Sequence, residues 1–368
     1  MTTTVAAPAA AGRQSDRTTP LLQRIWHNYV LRRVLRAIFV IWIVATGVFF
    51  LVRLLPGNPV DVYINTQIAM YGLSYEAAAA QAAALFTFDP NTPLPLQYLN
   101  YLAGILRGDF GMSILSPGTT VLDKIALHLP WTLFSVGLAL LISVAGGLLL
   151  GMVMAYRRSG VIDHTVSTLG SVFHAIPNYL LAIMIVLVLV AIQPEDPRSP
   201  LNFARMRGHS SPGVEPQFTL AFFSDAMYHA TLPMLTYILT TVGTWALVMK
   251  SSTTQILGED YVMVARARGL SGFRIGSQYV GRNAVLPLVA QIATQAGFVV
   301  GGAIFVEKTF QYDGIGVTLF ESVNSRDYPV IQGILLVVTI TVVLANLAAD
   351  LIYSVLDPRI RTGEEGGN

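Results

Sequence analysis

Few residues in this chain have the types and spacing for covalent chemistry. A phosphate-binding loop needs glycine-rich backbone leading into Gly-Lys-Ser or Gly-Lys-Thr, so that amides and one ammonium group cradle the phosphates. The three lysines instead follow Asp123, Met249 and Glu307, as Lys124, Lys250 and Lys308. The histidines His27, His128, His164, His174, His209 and His229 fit no metal-ligand spacing, and zero cysteines exclude a thiolate ligand, a catalytic thiol and a disulfide. No catalytic residue, metal or cofactor is therefore expected on this chain. What stands out is a cationic segment, residues 250–287, containing Tyr261-Val-Met-Val-Ala-Arg-Ala-Arg-Gly269 and ending at Leu286-Pro287. Its chemistry is noncovalent: a docking handle for a soluble partner. The competing reading is a loop that only follows the charge asymmetry of membrane proteins.

The elements that position this handle cross a bilayer. Of 368 residues, 53% are hydrophobic and 12% charged, against about 25% charged in soluble domains. A formal net charge of +2 does not suggest nucleic acid. A spanning helix needs about 20 mostly apolar residues, and six segments qualify: 34–55, 133–155, 165–192, 230–249, 284–306 and 329–356. Each is expected to be helical, because unpaired peptide groups facing lipid cost several kcal/mol apiece. The fold class is thus all-α and polytopic, with residues 21–368 as the membrane domain and 1–20 as a disordered tail. The alanine-rich stretch 76–88 reads as a short surface helix. The Leu96-Gln-Tyr-Leu-Asn-Tyr-Leu102 run reads as an interfacial helix with Tyr98 and Tyr101 at headgroup level.

Lys and Arg accumulate on the cytoplasmic side of membrane proteins. The N-terminal tail, the second and fourth connections and the C-terminal tail together hold 15 of the 23 Lys and Arg residues. Both termini are therefore expected inside. The outer connections are long, and the one spanning 193–229 reads as irregular.

Within the handle, Asp260 is expected to cap a short helix. Tyr261, Val264 and Ala265 share one face, Arg266 and Arg268 point elsewhere, and Gly269 supplies a left-handed stop. Ser271 then caps a second helix, with Phe273 and Tyr279 as apolar contacts, before the fifth span begins. The coupling segment covers 258–282.

Polar residues inside the spans are the other candidates. Gln291, Thr294 and Gln295 form a strip at helical spacing that could line a hydrated route or bond between helices. His174, Pro177 and Asn178 read as a kink with polar satisfaction, with a proton relay as the alternative. Asp350 lies near the inner end of the sixth span, where Asn346 one turn earlier could satisfy it. Arg53 and Glu307, at outer span ends, could pair across an external gate.

Several pieces of this chain resemble the inner-membrane permease subunits of ABC importers, of the dipeptide and oligopeptide class. They are Leu54-Leu-Pro-Gly-Asn-Pro59, Gly108-Asp-Phe-Gly111, the segment 265–287, Arg326-Asp-Tyr-Pro-Val330 and Asp357-Pro-Arg-Ile-Arg361. In that family a cytoplasmic Glu-Ala-Ala signature, followed by a glycine, forms a coupling helix between the fourth and fifth spans that sits in a groove of an ATPase. Here the signature falls on Met263-Val264-Ala265, and only the last alanine and Gly269 match.

The resemblance implies type I importer permease architecture in a bacterial plasma membrane. It implies a similar second permease subunit in a heterodimer, two ATPase subunits or one fused ATPase that bind ATP and Mg, and an external substrate-binding protein. Peptides are the implied cargo, with nickel or another small solute as the alternative. An ion-driven secondary transporter would show inverted repeats or several midplane charges, neither of which this sequence displays.

Overall fold

The computed structural model describes residues 29–54, 59–85, 92–116, 118–192, 194–196 and 198–356. The expected tail at 1–20, the middle of the Leu54–Pro59 motif and the Asp357–Arg361 motif lie outside the described residues. Among those described, no strand forms, and Met112 and Thr120 make one isolated bridge.

The chain opens with helix α1 (Tyr29–Leu54), followed by α2 (Pro59–Tyr71), α3 (Tyr75–Leu85) and α4 (Leu94–Arg107). Two long helices carry the bundle, α5 (Val121–Tyr156) and α8 (Leu220–Ile256), flanking α6 (Val161–Ala175) and α7 (Asn178–Ile192). After α8 come α9 (Asp260–Ala267) and α10, which runs from Gly272–Arg274 through a π-helical stretch, Ile275–Gly281, into Arg282–Ala284. Helices α11 (Leu286–Phe310), α12 (Ile315–Asn324) and α13 (Tyr328–Leu356) complete the chain.

Among the described residues, four helices are long and apolar enough to cross a membrane: Val30–Val52, Val121–Tyr156, Leu220–Ile256 and Tyr328–Ala348. The third expected span is not one straight helix. It is the pair α6 and α7, bent by 101° at Ile176-Pro177. Proline has no N–H to donate and its ring clashes with the preceding turn, so the helix stops and restarts there. The fifth expected span coincides with α11.

Both long helices begin well before the apolar stretch that signals them. Thr120 and Asp123 form a capping box, with the Thr120 side chain accepting the Asp123 N–H at 3.0 Å, which starts α5 outside the expected span. Thr219 accepts the Phe222 N–H at 3.3 Å and does the same for α8. Local polar capping sets these starts, which a hydropathy window does not register.

Small residues let the helices approach closely. A Cβ on Gly147 would lie 2.3 Å from Trp245 Cβ, and one on Gly151 would lie 2.4 Å from Ala246 O. A Cβ on Gly243 would lie 2.3 Å from Gly170 Cα. This is the packing membrane helices use when lipid gives them no hydrophobic drive to associate.

Two outer elements differ from expectation. Helix α3 is not a free surface helix: Ala78 and Ala82 are fully buried in a cluster with Tyr63, Ile64, Tyr328 and Ile331. Tyr98 and Tyr101 pack on Phe49 of α1, at ring-centroid distances of 5.2 and 5.3 Å, and Tyr98 Oη shares a 2.7 Å hydrogen bond with Thr46 Oγ1. They pin α4 to the first span. In the 193–229 connection the described residues up to Thr219 are irregular apart from a 3-10 turn at Phe203–Met206, whereas residues 220–229 already belong to α8.

Candidate functional site

The handle folds as two short helices around a small core of its own. Val262 and Ala265 of α9 and Ile275 and Val280 of α10 are buried together, with Ile256, Leu257, Leu270 and Tyr279 packed against them. The covered face of α9 is therefore Val262 with Ala265, three residues apart. Ala265 is buried, while its helical neighbours Tyr261 and Val264 are partly exposed, at 40% and 53%, as is Met263. Phe273 is 87% exposed instead of making the internal contact expected of it. Arg266, Arg268 and Arg274 are also exposed. The exposed side chains of the handle thus combine apolar groups, Tyr261, Met263, Val264 and Phe273, with three guanidinium groups.

Capping explains the shape. Glu259, not Asp260, is the N-cap of α9, and Asp260 is the acid of its first turn, where it complements the helix dipole. Gly269 has φ +71°, and the Leu270 N–H donates back to Ala265 O at 3.3 Å, the closure expected of a glycine-terminated helix. Ser271 accepts the Arg274 N–H at 3.4 Å and starts α10.

The handle is tied to the bundle at α8 and α5 and is braced within itself. Ser252 of α8 donates to Ala284 O at 2.9 Å. Asn283 donates to Tyr279 O at 2.7 Å and to Tyr261 Oη at 3.3 Å. A Cβ on Gly276 would lie 3.3 Å from Tyr156 Oη at the end of α5, so α10 lies directly on that helix. Helix α9 packs on α10, and α10 runs through Val285 into the start of α11.

The other expected residues are dispersed. Gln291 is half-buried on α11, while the side chains of Thr294, Gln295, Arg53 and Asp350 lie outside the described residues. Asn346 Oδ1 is buried and has no partner among the described residues. Glu307 does not stand at an exposed outer gate. It is fully buried, accepting Thr132 Oγ1–H at 2.5 Å and the Gly316 N–H at 2.8 Å. It closes a socket between α5, α11 and α12.

Sequence reasoning missed three clips. Asp327 is fully buried, accepting Ser113 Oγ–H at 2.5 Å and the Ile114 N–H at 3.1 Å, with Lys124 Nζ 3.7 Å away. His209 meets Asp313 at 3.1 Å and stacks on Trp131 at 4.3 Å. That histidine, chiefly through its hydrogen bond, holds the Asp313 carboxyl below the usual aspartate range. Asp163 meets Lys250 at 2.5 Å. Only Asp327 carried a sequence signal, through the Arg326-Asp-Tyr-Pro motif.

Residues 147–362 match the family described as binding-protein-dependent transport system inner membrane component. The match runs from the middle of α5 beyond α13 and contains the whole handle. The chain belongs to this family. The permease is 34% identical over 337 residues to a protein named as a peptide permease in Brucella suis biovar 1 (strain 1330), covering 91% of this chain and 99% of the relative. It is 31% identical to the dipeptide transport system permease protein of Escherichia coli strain K12, over 85% of this chain and 92% of that one. It is also 31% identical to the glutathione transport system permease protein of Salmonella choleraesuis (strain SC-B67), over 91% and 99%. The permease is therefore a helical membrane component of a binding-protein-dependent transport system.

Proposed function

We propose that this permease moves peptides across the bacterial plasma membrane after an external binding protein delivers them. ATP and Mg bind to partner ATPases, and α9 with α10 forms the surface on which one ATPase domain docks. A second, similar permease subunit completes the pathway as a heterodimer, and both termini lie on the cytoplasmic side. The observation that carries this reading is the two-faced handle. One face has its own buried core and is joined to α8 and α11, while the other presents Tyr261, Met263, Val264 and Phe273 to solvent. Large exposed apolar patches rimmed by polar groups mark interaction sites. The exposed arginines Arg266, Arg268 and Arg274 support an inward orientation of this face under the positive-inside rule. Peptide cargo is supported by the names of the Brucella and Escherichia relatives.

Nucleotide-driven approach of the two ATPase domains pulls on α9, and α10 passes the movement to α11 through the π-helical stretch. The test is reconstitution with the partner permease, ATPases and binding protein, comparing wild type with Gly269→Asp. Gly269 has open space around it but a left-handed backbone, so a side chain there strains the stop without blocking insertion. The variant should insert and assemble, and peptide-stimulated ATP hydrolysis should be lost. Normal coupling in Gly269→Asp would refute the docking assignment.

A further inference from the structure

Helix α4 meets α1 inside the apolar stretch of that helix, not beyond it. Tyr98 Oη shares its 2.7 Å hydrogen bond with Thr46 Oγ1, and both Tyr98 and Tyr101 pack on Phe49. Thr46 and Phe49 belong to the membrane-crossing segment Val30–Val52. Phe49 stands three residues before the end of that segment, about 5 Å along the axis at the helical rise. The level at which α4 is held is therefore that of the acyl chains next to the headgroups.

Three stripes run along α4. Tyr98 and Tyr101 face α1. Leu99 and Leu106, seven residues apart and so on one face, are 60% and 88% exposed, with Leu96 exposed beside them. Asn100 and Arg107, again seven apart, form a polar stripe and are both exposed. A protein-facing, an apolar and a polar side together describe a helix lying in a membrane interface. The leucine stripe also continues the apolar side of α1. Phe39, Ile43 and Phe50 of that helix are exposed, and the Phe50 ring stacks on Tyr98 at 6.2 Å. The end of α4 is closed on itself: Gly108 has φ +75°, its N–H donates to Ile105 O at 3.0 Å, and the Asp109 N–H donates to Gly104 O at 2.9 Å. Fewer carbonyls are thereby left in need of water.

We infer that α4 is a lipid-binding helix, with Leu96, Leu99 and Leu106 set among the acyl chains of the leaflet at the C-terminal end of α1, and Asn100 and Arg107 turned to headgroups and water. In the orientation proposed above this is the outer leaflet. Two observations select lipid as the occupant: the depth at which Thr46 and Phe49 hold the helix, and the unbroken passage from the lipid side of α1 through Phe50 to the leucines. A soluble partner would have to reach below the headgroups to cover them. The tyrosines hold the helix to α1, and the leucines make the membrane contact. Helix α4 thereby fixes the height at which the connection between α1 and α5 leaves the bilayer. The inference is independent of the cargo.

The experiment places a nitroxide spin label at Leu99→Cys, Leu106→Cys or Asn100→Cys in the assembled transporter, its other subunits free of cysteine, in liposomes of phosphatidylcholine and phosphatidylglycerol. Relaxation of the label by oxygen, which concentrates in lipid, is compared with relaxation by a nickel chelate, which stays in water. The oxygen-to-nickel ratio at Leu99 and at Leu106 should lie several-fold above that at Asn100. The two leucine positions are read separately, and Asn100 on the same helix reports whether nickel reaches α4 at all. Nickel access at Leu99 and Leu106 equal to that at Asn100 would overturn the inference and mark a water-facing docking surface. Protection of the leucine positions from both reagents would also overturn it, and would mark a protein neighbour such as a second permease subunit.

Discussion

Asp163 and Lys250 meet at 2.5 Å, joining the first turn of α6 to the inner part of α8 just before the handle. Asp163 is buried and also accepts the Ser159 N–H at 3.1 Å. Ser159 itself has φ +58°, so a left-handed turn is held in place by the same carboxylate. The connection between α5 and α6 and the root of the handle are thereby one body.

Removing one charge of that pair should be worse than removing both. Asp163→Asn or Lys250→Met leaves the other group without its partner, whereas the double variant leaves neither. Thermal unfolding of the purified assembly should show the double variant above the sum of the two single losses. Strict additivity would mean that the contact contributes nothing.

The clip at Asp327 makes a separate prediction about the outer surface. It gathers Ser113, the Ile114 amide and Lys124 from the loop and helix that follow α4. Asp327→Ala should cost about 2–3 kcal/mol, since a buried N–H loses its acceptor. The 108–120 loop should become sensitive to protease, and Asp327→Asn should cost less. A protected loop in Asp327→Ala would contradict this role.

Glu307 fills its socket so tightly that glycine is required opposite. A Cβ on Gly314 would lie 2.2 Å from Glu307 Oε1, and one on Gly316 would lie 2.5 Å from Ile304 Cα. Gly314→Ala should destabilise by about 1–3 kcal/mol, the usual range for overpacking. Denaturant titration in detergent measures it, and an unchanged midpoint would show that the socket relaxes freely.

The outer contact between Asp313 and His209 has a defined pH sense. The Asp313 pKa is depressed in the folded protein. Its contribution to stability is therefore present above the unfolded aspartate value of about 3.9 and is lost as pH falls through the lower folded value. Asp313→Asn should lower the thermal midpoint slightly at pH 7, with the gap from wild type narrowing as pH falls below the unfolded aspartate value and through the lower folded one. A gap that closes between pH 5 and 4 would contradict the depressed value.

Much of the bundle was legible because lipid imposes a rule simple enough to read: about 20 apolar residues, all helical. The helix stop at Gly269 and the break at Pro177 were legible for a related reason, since glycine and proline act on their own backbone. Which part of α9 is covered was not legible because the eight-residue helix offers apolar residues all round, Tyr261, Val262, Met263 and Val264 in succession. Only the packing of α10 decides which of them is covered. Asp163, Asp327 and Glu307 were unreadable as clips for a different reason. Their partners lie 87, 214 and 175 residues away, and no local pattern joins such positions.

The most direct measurement is cross-linking from single cysteines, which is clean because the chain has none of its own. Cysteine is placed at Val264 or Phe273 on the outward face, or at Val262 in the handle's core, and the complete transporter is treated with a short bifunctional reagent. Cysteines at Val264 and Phe273 should join to an ATPase subunit and block nucleotide-driven transport, while one at Val262 should not react. Absence of any ATPase adduct from the outward positions, in a complex that still transports, would contradict docking through α9 and α10.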